Sequence, residues 1–144
     1  MLEIRRSQST SSAPEVVYDL IINPMTWPDW QSEIVSVENR GPLITGEVAR
    51  GEADLLGFQV HGHSTAIDVG LTRFEEDVVV GVRMRICYEV RQDKRGSLVT
   101  HSLVADLPGG VCGSVLTLFL RWRLRRLQRT ALAGLARQSE AISP

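Results

Sequence analysis

Residues 2–10 alternate, with Leu2, Ile4, Arg6 and Gln8 against Glu3, Arg5 and Ser7, and this period of two predicts a first strand. Ser11-Ser12-Ala13-Pro14-Glu15 then signals a helix start: Ser12 can cap, Pro14 sits in the first turn and Glu15 favours the dipole. Val16, Val17, Leu20 and Ile21 follow at helical spacing until Asn23-Pro24 stops the helix, and Trp27-Pro28-Asp29-Trp30 leaves room for only one or two further turns. From residue 33 to 107 the pattern changes to strands, predicted at Ile34–Val37, Thr45–Leu55, Phe58–Val69, Leu71–Glu76, Val78–Arg91 and Ser97–Leu107. The turns between them fall at Asn39–Pro42, Leu56-Gly57, Asp68–Gly70, Asp77 and Gln92–Gly96. Pro108-Gly109-Gly110 breaks the sheet. Residues 111–142 contain no proline, and Leu116, Leu120, Leu124, Leu127, Ala131, Leu135 and Ile142 fall in one stripe roughly 100° wide along a long terminal helix.

The strand faces differ in character. Val78, Val80, Val82, Met84, Ile86, Tyr88 and Val90 share one side, while Arg83, Arg85, Glu89 and Arg91 share the other, which predicts a sheet with one dry and one wet face. On the third strand the corresponding apolar set is Ala49, Gly51, Ala53 and Leu55, mostly small. Such residues leave volume for a ligand or mark a sharp bend of the sheet.

With 144 residues the chain is expected to form one domain, 1–144, large enough for a hydrophobic core without staples. Apolar residues at 43% and charged residues at 23% exclude disordered and fibrous classes. Two cysteines are too few for a disulfide framework or a tetrahedral zinc site, and no metal or cofactor is expected. The net charge of -1 hides an asymmetry: residues 1–106 hold 16 acids and 10 bases, whereas 107–144 hold one acid, Glu140, and six arginines. The net acidity of the larger part argues against nucleic-acid binding. No apolar run follows Met1–Arg6 and the longest, Val115–Leu120, is far short of a membrane span, so a soluble cytoplasmic protein is expected.

The order β-α-α-β(6)-α, with Ala13-Pro14-Glu15-Val16-Val17-Tyr18, Asn23-Pro24 followed by Trp27-Pro28 and Trp30, Gly46, and Gly96-Ser97-Leu98-Val99-Thr100, resembles the START-like (SRPBCC) superfamily. Within it the chain resembles the polyketide cyclase/dehydrase and lipid-transport family. The resemblance implies an α+β helix-grip fold, a curved antiparallel sheet wrapped around a long C-terminal helix with a cavity between them. It implies binding or transport of a hydrophobic small molecule, a lipid, polyketide or aromatic compound; the alternative is a polyketide cyclase, aromatase or dehydratase. The family has no universal catalytic motif, and no Ser-His-Asp order, phosphate loop or HExxH occurs here. No catalytic residue is assigned.

Met84, Ile86, Tyr88, His101, Phe119 and Trp122 are the candidate ligand-binding residues. His101 is in register with Val99, Leu103 and Ala105 and can anchor a ligand carbonyl or move a proton. His61 and His63 point the same way but lack companions for a metal site. Trp27 and Trp30 are expected to be packing anchors, and Glu75-Glu76-Asp77 a solvated turn. Val115, Leu118, Phe119 and Trp122 lie opposite the leucine stripe, with Arg121, Arg123, Arg125, Arg126 and Arg129 following at once. Four readings remain: a gate at the cavity mouth, peripheral contact with an anionic membrane through Arg121, Arg125 and Arg129, a homodimer face, or salt bridges to the acidic sheet.

Overall fold

A computed structural model describes residues 1–54, 57–106 and 111–142, with 111–114 described as backbone. Strand β1 (Leu2–Thr10) leads into helix α1 (Pro14–Ile22), a 3-10 turn (Pro24–Thr26) and the single turn α2 (Trp27–Trp30). Six strands follow: β2 (Ile34–Val37), β3 (Val48–Asp54), β4 (Gln59–Val69), β5 (Arg73–Val79), β6 (Arg83–Gln92) and β7 (Ser97–Asp106). Helix α3 (Val111–Ile142) ends the described chain. The strands form one antiparallel sheet in the order β1-β7-β6-β5-β4-β3-β2, so the first strand closes one edge by pairing with the last. Helix α3 packs along β1 and against α1 and α2, and the sheet curls around it.

One end of this grip is tightly filled. Val17, Leu20 and Ile21 of α1, Trp27 and Trp30, and Leu132 and Leu135 of α3 join Phe74, Tyr88, Val90 and Val99 of the sheet in one buried cluster. Burial of such side chains is the main stabilising term, at about 1.5–3 kcal/mol each. The indole N–H of Trp27 donates to the Ile21 carbonyl at 2.9 Å and that of Trp30 to Thr26 Oγ1 at 3.1 Å, so both tryptophans bury their polar handles satisfied. Helix α3 comes so close to α2 that a Cβ on Gly134 would lie 2.5 Å from the Trp30 carbonyl oxygen. The Tyr18 hydroxyl donates to the carbonyls of Gly70 and Arg73, tying α1 to the β4–β5 turn.

Several expectations change in detail. Ser12 does not cap α1; Ala13 takes that position, and the buried Ser12 instead accepts from Ser97 Oγ at its carbonyl, 2.6 Å away. Asp77 lies inside β5, and the β5–β6 turn comes at Val80–Val82, where Gly81 takes up a φ of 78° that side chains disfavour. Glu75-Glu76-Asp77 is therefore mid-strand, with alternate residues on opposite faces, and not a solvated turn. Strand β3 starts at Val48 because Gly46 turns the chain with φ 95°. The leucine stripe of α3 is buried from Leu120 to Leu135, but Leu116 and Ile142 at its ends are exposed, since the sheet and the short helices cover only the middle of the rod. Leu55, the Leu56 turn position, Leu107 and Pro108-Gly109-Gly110 lie outside the described residues.

Candidate functional site

Between the concave face of the sheet and the middle of α3 lies a cavity of about 120 Å³, open to solvent on one side. It is bounded by Ala49, Gly51 and Ala53 on β3, Gly62 and Ser64 on β4, and Glu76, Val78 and Val80 on or beside β5. Met84, Ile86 and Tyr88 of β6, His101 and Leu103 of β7, and Leu124, Leu127, Gln128 and Ala131 of α3 complete most of the wall. The small residues of β3 and β4 leave this volume, yet Gly51 has a second reason. A Cβ there would run into the Ser36 carbonyl oxygen, where β2 bulges against β3. Gly51 is thus small for close packing against β2 as well as for the cavity.

Met84, Ile86, Tyr88 and His101 all border the cavity, as alternation along β6 and β7 places them. Phe119 and Trp122 do not: they lie on α3, 49% and 55% exposed, away from its lining. Their rings are 6.3 Å apart, and the Arg126 guanidinium sits 5.5 Å from the Trp122 ring centre. His61 and His63 are exposed on the convex face, where His61 Nδ1 lies 3.7 Å from Glu52 Oε1. Among the described residues no group of three or more His, Cys, Asp or Glu converges in a way that could hold a metal ion.

His101 is 4% exposed, and burial alone lowers its pKa to about 4, so the ring is neutral at pH 7. The Gln128 side-chain amide reaches His101 Nδ1 at 2.7 Å and donates to the His101 carbonyl at 3.1 Å. An amide N–H donated to Nδ1 leaves the ring proton on Nε2. The Tyr88 ring meets His101 edge-on at 4.7 Å and Trp30 at 6.0 Å. Burial, with the charges of Glu76 and Glu33 added, raises the Tyr88 pKa well above its ordinary value, so the phenol stays protonated.

The polar lining residues that sequence reasoning missed include Ser64, Gln128 and two acids. Glu76 shares the inner face of β5 with Phe74 and Val78 and is 7% exposed. Burial pushes its carboxyl up to about 8, against the weaker opposing pull of the Ser64 hydroxyl. Glu33, just before β2, is pushed up to about 7 by burial, with its backbone hydrogen bond and the Arg123 charge pulling the other way. Glu33 Oε2, Glu76 Oε2 and Ser64 Oγ are buried without a hydrogen-bond partner among the described residues. Period-two alternation from Phe74 would have turned Glu76 inward, but the strand boundary set at Asp77 concealed it.

A seven-stranded antiparallel sheet gripping a long helix around an apolar cavity defines a START-like, helix-grip protein. The chain belongs to the polyketide cyclase/dehydrase and lipid transport family, whose model matches residues 1–140. Among solved structures it is similar to TTHA0849 from Thermus thermophilus, with a TM-score of 0.81 at 20% identity over 99% of this chain and 100% of the other. It is also similar to the Zhui aromatase/cyclase from Streptomyces sp. R1128, with a TM-score of 0.79 at 12% identity over 96% and 93%. A START superfamily protein from Mycobacterium smegmatis matches with a TM-score of 0.77 at 10% identity over 98% and 99%. No curated protein matches the chain by sequence. Identities this low carry the fold, and activity has to be argued from the cavity.

Proposed function

We propose that this chain binds and carries an apolar small molecule in the cavity between the sheet and α3. The carrying observation is the lining: an aliphatic and aromatic wall with a few converging polar groups, as small-molecule sites are built. A cavity near 120 Å³ suits a body about the size of one aromatic ring, with any longer part emerging through the open side. Native mass spectrometry of freshly purified protein, followed by extraction, should find a bound small molecule, and the neutral fluorophore Nile red should bind the emptied protein. Ala53→Phe, which fills part of the cavity, should abolish dye binding. An empty protein that ignores Nile red would overturn the carrier reading.

The enzyme alternative draws on the same groups, since Glu76, Tyr88 and His101 could move protons on a bound polyketide. Turnover of a poly-β-ketone thioester, lost in Glu76→Gln, would favour it over a carrier.

A second reading concerns the outside of α3. Val115, Leu118, Phe119 and Trp122 are exposed together, and among the described residues Arg121, Arg125 and Arg129 make no ion pair. Apolar and aromatic side chains beside unpaired cations suit the boundary of an anionic membrane, which would be where the ligand is loaded or released. No helix among the described residues is long and apolar enough to cross a membrane, so the contact would be peripheral. Replacing Arg121, Arg125 and Arg129 together by Gln should weaken sedimentation with phosphatidylserine vesicles at low salt and leave Tm unchanged. Equal binding by parent and variant, or a concentration-dependent dimer that occludes Trp122, would remove this reading.

A further inference from the structure

Among the described residues, the buried side-chain atoms left without a hydrogen-bond partner are all oxygens, and two of the three belong to acids. Glu76 stands on the concave face at the centre of the sheet, cross-strand from Ala66 on β4 and Ile86 on β6. Its Oε2 and the nearby Ser64 Oγ are both shielded from solvent and meet no partner in hydrogen-bond geometry among the described residues, although the Ser64 hydroxyl stands close enough to pull weakly on the carboxyl. A buried polar group left in this state costs about 1–3 kcal/mol, and more for a charged one, so a fold that keeps it invites an explanation in a ligand.

The groups facing Glu76 restrict what that ligand can be. On the neighbouring strands these are Ser64 of β4 and the Tyr88 phenol of β6, and one strand further, on β7, the neutral His101 borders the same cavity with its Nδ1 already taken by Gln128 of α3. Glu33 also borders the cavity, and its charge and that of Glu76 both reach Tyr88. Among the described residues, Arg123 on α3 acts on Glu33, and no basic side chain acts on Glu76. Arg50 also borders the cavity, but alternation along β3 turns its exposed side chain to the convex face beside His63. The cavity thus combines the aromatic rings of Trp27 and Tyr88 with acid oxygens. Aromatic faces and carboxylates are the two surfaces that stabilise an organic cation away from water.

We propose that the cavity is selective for a cationic nitrogen on an apolar body, an amine with a small aromatic or aliphatic group, seated on the Glu76–Ser64 pair beside Tyr88. The inference rests on the carrier reading and deepens it. The empty cavity holds Glu76 mostly protonated at neutral pH, because burial without a counter-charge raises its pKa. An ammonium group supplies that counter-charge. Binding therefore transfers the Glu76 proton to solvent, and the ligand's N–H donates to the carboxylate thus formed. A carboxylate ligand meets two acids instead.

Three isosteres of one size make the test: benzylamine, benzyl alcohol and benzoate, titrated calorimetrically into the protein at pH 7 in two buffers of different ionisation enthalpy. Benzylamine should bind at least about tenfold more tightly than either of the others. Its heat should vary with the buffer as release of about one proton requires, while that of benzyl alcohol should not. Glu76→Gln, nearly isosteric, should lose both the preference and the proton release, with an unchanged far-UV circular dichroism spectrum at pH 7 to show that it folds. Comparable binding of benzyl alcohol or benzoate, or no binding of benzylamine by a protein that binds Nile red, overturns the cation inference and leaves the carrier reading standing. Failure of Nile red as well removes the carrier reading itself.

Discussion

Leu135 and Leu118 sit on the same uninterrupted helix, yet Leu135 is 1% exposed and Leu118 is 69% exposed. The two ends of α3 meet different surroundings. Near Leu135 the helix lies against α1, α2 and the filled end of the sheet, where the tryptophan N–H groups and Thr10, whose hydroxyl lies 3.4 Å from that of Ser139, all find partners. Midway along, at Leu124–Ala131, its inner side borders the cavity in which Glu33 Oε2 and Glu76 Oε2 lack hydrogen-bond partners among the described residues, and toward Leu118 its outer side turns apolar and aromatic side chains to solvent. Apolar character is similar along the helix, but burial depends on what stands opposite.

The largest effect should come from disturbing the filled end. Leu135→Ala removes packing from a fully surrounded site and should cost about 2–5 kcal/mol of unfolding free energy, whereas Leu118→Ala should stay within about 0.5 kcal/mol. Urea unfolding of both variants measures this directly. Equal losses would mean that the exposed end of α3 is covered in solution and would erase the contrast.

Next in size is the hollow end's response to pH. An acid whose pKa is near 4.5 unfolded and about 8 folded makes the folded state bind the extra proton, so its contribution to stability falls as pH rises between those values. Between pH 6.5 and 8 Glu76 should therefore cost about 2 kcal/mol, with Glu33, at about 7, adding to the lower part of that range. His101 works in the opposite direction: its depressed pKa withdraws stability as pH falls from about 6.5 toward 4. Thermal unfolding of Glu76→Gln should be flatter than the parent above pH 6.5 and cross it, the variant being more stable at pH 8. Parallel curves would show that Glu76 is hydrated or paired in solution.

The scaffold was largely legible because its signals are local. Alternation in residues 2–10, the Pro14 helix start, the hairpin loop expected at 92–96 and the proline-free run after 110 each fix an element without knowledge of its neighbours. The wall positions Met84, Ile86, Tyr88 and His101 followed from the same alternation, which is a property of one strand. Glu76 was missed because one misplaced turn makes a buried acid look like part of a charged loop. Its inward aim also depends on partners, Ala66 and Ile86, that are distant in sequence. Phe119 and Trp122 look like cavity residues in the sequence because their exposure depends on where the sheet stops along α3, a tertiary fact no helical period contains.

The smallest expected effect lies on the exposed end. The Arg126 guanidinium sits over the Trp122 ring at 5.5 Å, and at an exposed site such a contact contributes about 0.5–1 kcal/mol. A double-mutant cycle of Arg126→Gln and Trp122→Leu should return a coupling energy in that range or below. Trp27→Phe, by contrast, removes an indole that is 6% exposed and hydrogen-bonded to the Ile21 carbonyl, and should cost more than either α3 change alone. Acrylamide quenching gives an independent view: Trp122 should account for most of the quenchable emission, since Trp27 and Trp30 are buried at the filled end. Loss of quenching on adding phosphatidylserine vesicles, with no change in the Trp27 and Trp30 signals, would place the lipid on the exposed end of α3. Quenching unaffected by vesicles but lost with rising protein concentration would place a second copy there instead.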